Sequence, residues 1–131
     1  MIVVDSNILA YFYLPGEYTA AAEHLFERNP RWHAPILWRS EFRNILAGYL
    51  RRERLTFDQA LAIQLEAELL LEGVEHEPDS KRVLELVQVS SCSAYDCEFV
   101  ALAEALGTHL VTMDAKLIKA FPKIAKSLMA D

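Results

Sequence analysis

The sequence has few cysteines and no long hydrophobic run, and each shortage excludes a class of protein. Its two cysteines, Cys92 and Cys97, have no histidine or cysteine partner at zinc-site spacing, so we expect reduced side chains rather than a metal site or a disulfide. No apolar run approaches the roughly 18 residues of a membrane span. The first residues show no basic region before an apolar one, as a signal peptide would. We therefore expect a cytoplasmic protein with no membrane partner.

Glycine-rich nucleotide-binding motifs are missing as well. The four glycines form neither a Walker-type phosphate loop nor a dinucleotide fingerprint. There is also no internal repeat and no linker rich in proline, glycine or serine, which indicates a single domain over residues 1–131. The histidines are scattered along the chain, and we interpret each as a surface or packing residue rather than a ligand: His24, His33, His76 and His109.

The sequence also lacks an excess of positive charge. The formal net charge is −6, from 13 basic and 19 acidic residues, which at first argues against a nucleic-acid partner. If four acids belong to one metal site, however, the remainder carries only −2. The basic residues also form two local groups: Arg39, Arg43, Arg51, Arg52 and Arg54, and then Lys116, Lys119, Lys123 and Lys126. Charge therefore neither excludes RNA nor favours it.

The chain does contain short β-branched runs that alternate with amphipathic helical stretches. The pattern predicts strands at residues 2–4, 32–34, 73–77 and 109–112. It predicts helices at residues 19–27, 36–52, 56–72, 78–89, 93–106 and 114–121, whereas the tail at 124–129 fits either a strand or a helix. Such alternation indicates an α/β fold with a parallel sheet covered on both faces. Sites in such sheets form beyond the carboxyl ends of the strands.

Four acids occupy unusual positions in this pattern. Asp5 ends the first buried strand, and Asp114 follows the buried strand at 109–112. Glu41 and Asp96 fall within the apolar stripes of their helices rather than on the solvated faces. An inward carboxylate needs a compensating partner, because burying it alone costs several kcal/mol.

Each acid also has an ordinary structural interpretation. Asp5 and Asp114 could simply cap helices, and Asp96, three residues after Ser93, could complete a capping box. Glu41 could pair with a nearby arginine, although offsets of two residues do not face each other on a helix. None of these explanations accounts for all four acids lying where one sheet edge could gather them.

Gathering four carboxylates has an electrostatic consequence. Two like charges about 4 Å apart repel by roughly 4 kcal/mol at an effective dielectric of 20. Proton uptake or a divalent cation must relieve that repulsion. All-oxygen sites suit the hard cations Mg²⁺ and Mn²⁺, so the four acids indicate a site for one of these ions.

In these positions the chain resembles the PIN-domain nucleases, and most closely the VapC-type toxins of toxin–antitoxin pairs. The matching segments are Ile-Val-Val-Asp-Ser-Asn at 2–7, Glu41 with Asn44, Tyr-Asp at 95–96 with Leu-Ala-Glu at 102–104, and Leu-Val-Thr-Met-Asp at 110–114. The resemblance implies a three-layer α/β/α sandwich with a parallel sheet of about five strands. It also implies an RNA-cleaving site in which one or two Mg²⁺ or Mn²⁺ ions are held by Asp5, Glu41, Asp96 and Asp114.

The resemblance extends to supporting residues and partners. Asn7 and Thr112 match polar support positions, whereas Lys116 stands where some relatives have a further acid. A toxin of this family is expected to be a homodimer and to bind a cognate antitoxin protein. From the sequence itself, we expect some of eight aromatic residues to remain exposed as an apolar interface patch, with inward packing of all eight as the alternative: Tyr11, Phe12, Tyr13, Phe26, Trp32, Trp38, Phe42 and Tyr49.

Two alternatives remain open at this point. One is a PIN-fold nuclease of RNA processing or decay outside toxin–antitoxin systems, and the other is an inactive PIN-fold scaffold. A dehalogenase-type phosphatase would need a second Asp where this chain has Asn7, and a receiver domain would need an acidic pair near the first strand.

Overall fold

The computed structural model describes residues 1–130, which form five strands and seven helices. The strands are β1 (Ile2–Val4), β2 (Trp32–Pro35), β3 (Glu75–His76), β4 (Leu110–Thr112) and β5 (Ala125–Ser127). The helices are α1 (Ser6–Tyr13), α2 (Thr19–Arg28), α3 (Trp38–Arg51), α4 (Phe57–Leu70), α5 (Ser80–Gln88), α6 (Ala94–Leu106) and α7 (Ala115–Ala120).

The five strands form one parallel sheet in the order β3-β2-β1-β4-β5. Parallel connections of this kind are right-handed, which places α1 to α4 on one face of the sheet and α5 to α7 on the other. The packing of α3 against α1 and α4, and of α5 against α6, agrees with that division. The predicted three-layer sandwich with five parallel strands is confirmed. The strand order reverses direction between β1 and β4, where a crevice opens at the carboxyl ends.

Helix boundaries follow local signals, with differences of a few residues from the predicted ones. Helix α3 begins at Trp38 rather than at residue 36, because the Ile36 N–H is taken by the His76 carbonyl at 2.9 Å in the β2–β3 ladder. Thr56 and Gln59 form the predicted capping box of α4. That helix ends at Leu70, and Gly73 adopts a left-handed φ of 82° in the turn that follows.

The tail that fitted either a strand or a helix is a strand. Leu110 donates its N–H to the Ile124 carbonyl at 2.9 Å, and Leu128 donates to the Thr112 carbonyl at 3.0 Å. Both bonds join the tail to β4, so β5 becomes the edge strand of the sheet. The β4 partner, and not the tail's own periodicity, determines this conformation.

The prediction of an aromatic interface patch was wrong about the residues that form it. None of the eight aromatic residues is exposed, because they pack against one another and the core; Phe12, for example, contacts Phe26 and Trp32 with ring centroids 5.0 and 5.2 Å apart. Four of the exposed large apolar side chains lie on α4 instead. There, an outward stripe repeats every four residues: Phe57, Leu61, Leu65 and Leu69. We call these four residues the α4 stripe.

Both cysteines and two of the histidines take part in the packing of the fold. Cys92 and Cys97 are both buried and free. His33 is buried, and its Nδ1 lies 2.8 Å from Nε2 of His76 with the two rings stacked, so this pair joins β2 to β3. Among the helices of residues 1–130, none has the length and apolar character needed to cross a membrane.

Candidate active site

The crevice at the carboxyl ends of β1 and β4 contains a pocket of about 250 Å³. Its polar lining includes all four predicted acids, Asp5, Glu41, Asp96 and Asp114, together with Ser6, Asn7 and Asn44. Its apolar walls are Ile45, Phe99 and Leu117. Residues far apart in the chain therefore meet at the edge where parallel-sheet proteins place their sites.

Asp5 both caps a helix and lines the pocket, so the two interpretations of this residue are compatible. Its Oδ1 accepts the backbone N–H groups of Asn7 at 3.1 Å and Ile8 at 3.2 Å, which caps α1. Its Oδ2 accepts a short hydrogen bond from the Thr112 hydroxyl. The carboxylate is thus fixed in orientation by the first turn of α1 and by Thr112 of β4.

Thr112 connects the two strand ends directly. It is fully buried, donates to Asp5, and accepts the Asp114 N–H on the same Oγ1 at 3.0 Å. Asp114 in turn caps α7 by accepting the N–H groups of Lys116 at 2.9 Å and Leu117 at 3.4 Å. One threonine therefore positions two of the four acids.

Glu41 is held by a residue that sequence reasoning missed. The buried Ser6 donates its hydroxyl to Glu41 Oε1 at 2.7 Å, across the contact between α1 and α3. Among the described residues, neither Arg39 nor Arg43 pairs with Glu41; both turn toward other glutamates. The only signal in the sequence is the position of Ser6 beside Asp5, which is equally typical of a helix cap.

Asp96 makes only half of the capping box that the sequence allowed. Its N–H donates to Ser93 Oγ at 3.0 Å, and Ser93 is the N-cap of α6. In α4 both capping-box bonds form, but in the described part of the chain the Ser93 N–H does not donate to the Asp96 carboxylate. The half-buried carboxylate faces the pocket instead.

Burial and mutual repulsion raise the pKa values of Asp5, Glu41 and Asp96 in the pocket. Burial raises the pKa of Asp5 from 3.8 to about 6 against the opposing Thr112 and backbone hydrogen bonds, and the charge of Glu41 adds to the increase. Burial also raises the pKa of Glu41; the Ser6 bond opposes this, and the charge of Asp96 contributes. The pKa of Asp96 is raised by burial and then by the charge of Asp114. The four acids therefore form one electrostatically connected row.

The donor set fits a hydrated divalent cation. Within residues 1–130, no three acidic, histidine or cysteine side chains lie close enough together to bind one ion directly. Mg²⁺ and Mn²⁺ do not require this, because Mg²⁺ usually binds one or two carboxylates and retains several waters. The pocket offers carboxylate and amide oxygens and no soft ligand, which is the chemistry that hard cations prefer.

Comparisons with known proteins agree with this architecture. Residues 2–125 match the profile of the PIN domain. A curated relative, Ribonuclease VapC3 of Pyrobaculum aerophilum, is 29% identical over 94% of this chain and 96% of its own. The solved structure of FitAcB from Neisseria gonorrhoeae superposes with a TM-score of 0.76 at 16% identity, covering 98% of both chains. A toxin–antitoxin complex from Klebsiella pneumoniae gives a TM-score of 0.71 at 17% identity, over 96% of this chain and 97% of its own.

Proposed function

The chain belongs to the PIN domain family, and on that premise we propose that it is a metal-dependent endoribonuclease and the toxin of a toxin–antitoxin pair. The observation that carries the proposal is the convergence of Asp5, Glu41, Asp96 and Asp114 on one pocket without a compensating cationic side chain in its lining. A curated relative of similar length is a ribonuclease, which supports RNA as the substrate. Fold neighbours that include a toxin–antitoxin complex support the biological role.

In this proposal the four carboxylates would hold one or two Mg²⁺ or Mn²⁺ ions, in part through the waters that such ions retain. A bound cation would lower the pKa of the attacking water and offset charge on the leaving oxygen. Thr112 keeps the Asp5 carboxylate oriented, and Ser6 does the same for Glu41. The apolar side chains Ile45, Phe99 and Leu117 complete the wall of the pocket. Asn7 and Asn44 supply amide groups that can donate to phosphate oxygens.

Cleavage of RNA by the purified chain tests the nuclease proposal. We expect hydrolysis of total RNA with Mg²⁺ or Mn²⁺, none with excess chelator, and at least a hundredfold loss in Glu41→Gln. Glu17→Gln is the matched control, because Glu17 is exposed and lies outside the pocket lining. Equal cleavage by Glu41→Gln and by the wild type would contradict the proposal, since contaminating nuclease would explain it.

The proposed antitoxin is a second protein encoded beside this chain. Its presence follows from the toxin assignment, which rests on the ribonuclease relative and on the toxin–antitoxin neighbour. Copurification of the untagged neighbouring gene product with the tagged chain tests this point. A chain that cleaves RNA but retains no such partner would belong among PIN nucleases of RNA processing or decay.

We also propose that a second copy of the chain covers the α4 stripe. Leu69 is 70% exposed and Phe57 is 68% exposed, which is unusual for side chains of this size. A twofold axis across α4 would pair two stripes antiparallel. Such a pairing would bring the arginines that precede the helix toward glutamates near its other end: Arg51, Arg52 and Arg54 toward Glu66 and Glu72.

Light scattering tests the homodimer. We expect a dimer for the wild type, a monomer for Leu65→Glu, and a dimer for Leu84→Glu, which changes an exposed leucine on α5 outside the α4 stripe. A dimer that persists in Leu65→Glu would show that a different surface joins the copies.

A further inference from the structure

A second cleft lies along α7, the helix whose Leu117 also lines the acidic pocket. It has a volume of about 560 Å³, within the range that ligands occupy. The turn at Val89, Ser90 and Ser91 forms one wall, and α7 forms the other with Lys116 and Lys119. We call it the lysine cleft. From its position and charge, we propose that it binds the backbone of the RNA strand that extends out of the acidic pocket.

The first argument is the distribution of charge. Residues 115–130 contain four lysines and no acid, whereas residues 1–114 contain nine basic and 18 acidic residues. A polyanion approaching an acidic pocket needs local positive charge to offset the repulsion. The segment that begins directly after Asp114 supplies it.

The second argument is that the cleft lysines are available. Among the described residues, Lys116 and Lys119 form no ion pair, whereas Arg39, Lys81 and Arg82 each bind a glutamate. Both lysines are exposed on α7. A phosphate could therefore bind them without breaking an existing pair.

The third argument is continuity with the acidic pocket. The Lys116 N–H binds Asp114 Oδ1 at 2.9 Å. A strand with its scissile phosphate at the acids would place its next phosphates near α7.

The cleft also provides groups that suit a nucleotide. The exposed Ser91 hydroxyl has no side-chain hydrogen bond within residues 1–130 and is free to donate to a phosphate oxygen, as serines do in nucleic-acid complexes. Val89, 76% exposed, offers apolar surface to a ribose or base. An acidic segment of a partner protein would satisfy the lysines but would not explain their position beside a phosphodiesterase pocket.

This inference rests on the proposed function, because it takes RNA as the substrate. The test is the binding of a fluorescent single-stranded RNA to the Asp5→Asn variant in chelator, measured by anisotropy over a range of salt concentrations. For single strands, each lost phosphate contact lowers the slope of log affinity against log salt by about 0.7. We expect Lys116→Gln/Lys119→Gln to lower it by about 1.4 and to weaken binding of all sequences equally.

Two control variants isolate the effect. Lys116→Arg/Lys119→Arg keeps the charge and should keep the slope, and Lys81→Gln removes a lysine from α5, away from the cleft, and should also keep it. An unchanged slope in the glutamine double variant, with unchanged melting temperature, overturns the lysine cleft as an RNA site. Loss of a coexpressed protein partner by that variant, with RNA binding unaffected, overturns it as well. Failure of the wild type to cleave or bind any RNA overturns the proposed function instead.

Discussion

Glu75 and Glu41 both contact residues of the first half of the fold, yet the charge of Glu75 is compensated by a cation and that of Glu41 is not. Glu75 on β3 accepts two bonds from Arg39, at 2.6 and 2.7 Å, and one from the Trp38 indole at 2.7 Å. The Arg39 bond holds the pKa of Glu75 below its usual range. Glu41, two residues after Arg39, receives only the Ser6 hydroxyl, and burial raises its pKa.

This contrast separates an acid that stabilises the fold from the acids that we propose bind a metal ion. The fold has arginines on α3 within reach of carboxylates, and they pair with Glu68 and Glu75 rather than with the pocket acids. The pocket acids therefore keep their mutual repulsion, which lowers the stability of the metal-free protein. A site built to bind a cation is expected to show this excess of negative charge.

Removing Arg39 should produce the largest effect, because it converts the compensated acid into an uncompensated one. The Glu75 side chain is only 14% exposed, so Arg39→Met leaves a largely buried charge without its cation. We expect a loss of about 3 kcal/mol in the free energy of unfolding, measured by urea denaturation. Arg43→Met on the same helix is the control: Arg43 is 56% exposed and lies 3.9 Å from Glu68, so less than about 1 kcal/mol should be lost. Equal urea midpoints for the two variants would contradict the comparison.

The pH dependence of the free energy of unfolding should have opposite signs for Asp5 in the pocket, whose pKa is raised, and for Glu75, whose pKa is lowered. Asp5 has a folded pKa of about 6 against 3.8, so between these values the folded protein binds the proton more tightly than the unfolded chain. The contribution of Asp5 therefore stabilises below about pH 4 and is lost as the pH rises through about 6, by at most ~3 kcal/mol. The measurement is chemical denaturation at pH 4 to 7 in chelator. Asp5→Asn should remove this loss, and exposed Asp58→Asn should retain it; identical pH profiles for the wild type and Asp5→Asn would exclude a raised Asp5 pKa.

Adding a divalent cation should restore the stability that the metal-free protein loses through repulsion among the pocket acids. A ligand of the folded state raises stability by about 2.7 kcal/mol at a hundredfold excess over its Kd. We expect the melting temperature to rise with Mg²⁺ or Mn²⁺ in the wild type and in Asp58→Asn, and much less in Asp96→Asn. Calorimetry at several metal concentrations checks this. An equal increase in Asp96→Asn and the wild type would place the ion elsewhere.

Much of the site could be predicted from the sequence because two kinds of local signal mark its acids: the end of a buried strand and the interruption of an apolar helical stripe. Asp5 and Asp114 stand at the ends of buried β-branched runs, and a parallel sheet places such ends together. Glu41 and Asp96 interrupt apolar helical stripes, which made their inward direction visible without a structure.

The features that escaped prediction depend on contacts between distant segments. Ser6 and Glu41 are 35 positions apart, and their bond exists only because α1 packs against α3. The tail became a strand through β4, and the α4 stripe could not be assigned to the surface because α4 is apolar on several sides, with Ala60 and Ala67 facing inward. Local periodicity contains no information on which neighbour an element will meet.

The smallest effect should come from Ser6→Ala, which removes the single bond that compensates Glu41. Ser6 is buried and its hydroxyl lies 2.7 Å from the carboxylate, so we expect a loss of about 1 kcal/mol at neutral pH. The pKa of Glu41 should rise further, because its charged form loses a donor while burial and the charge of Asp96 remain. Carbon-detected NMR titration of the glutamate carboxyls measures this directly. Ser40→Ala is the matched control, since Ser40 is exposed beside Glu41 and makes no side-chain bond to it within residues 1–130. If Glu41 titrates at the same pH in both variants, the Ser6 bond does not support its charge, and the contrast with Glu75 reduces to burial alone.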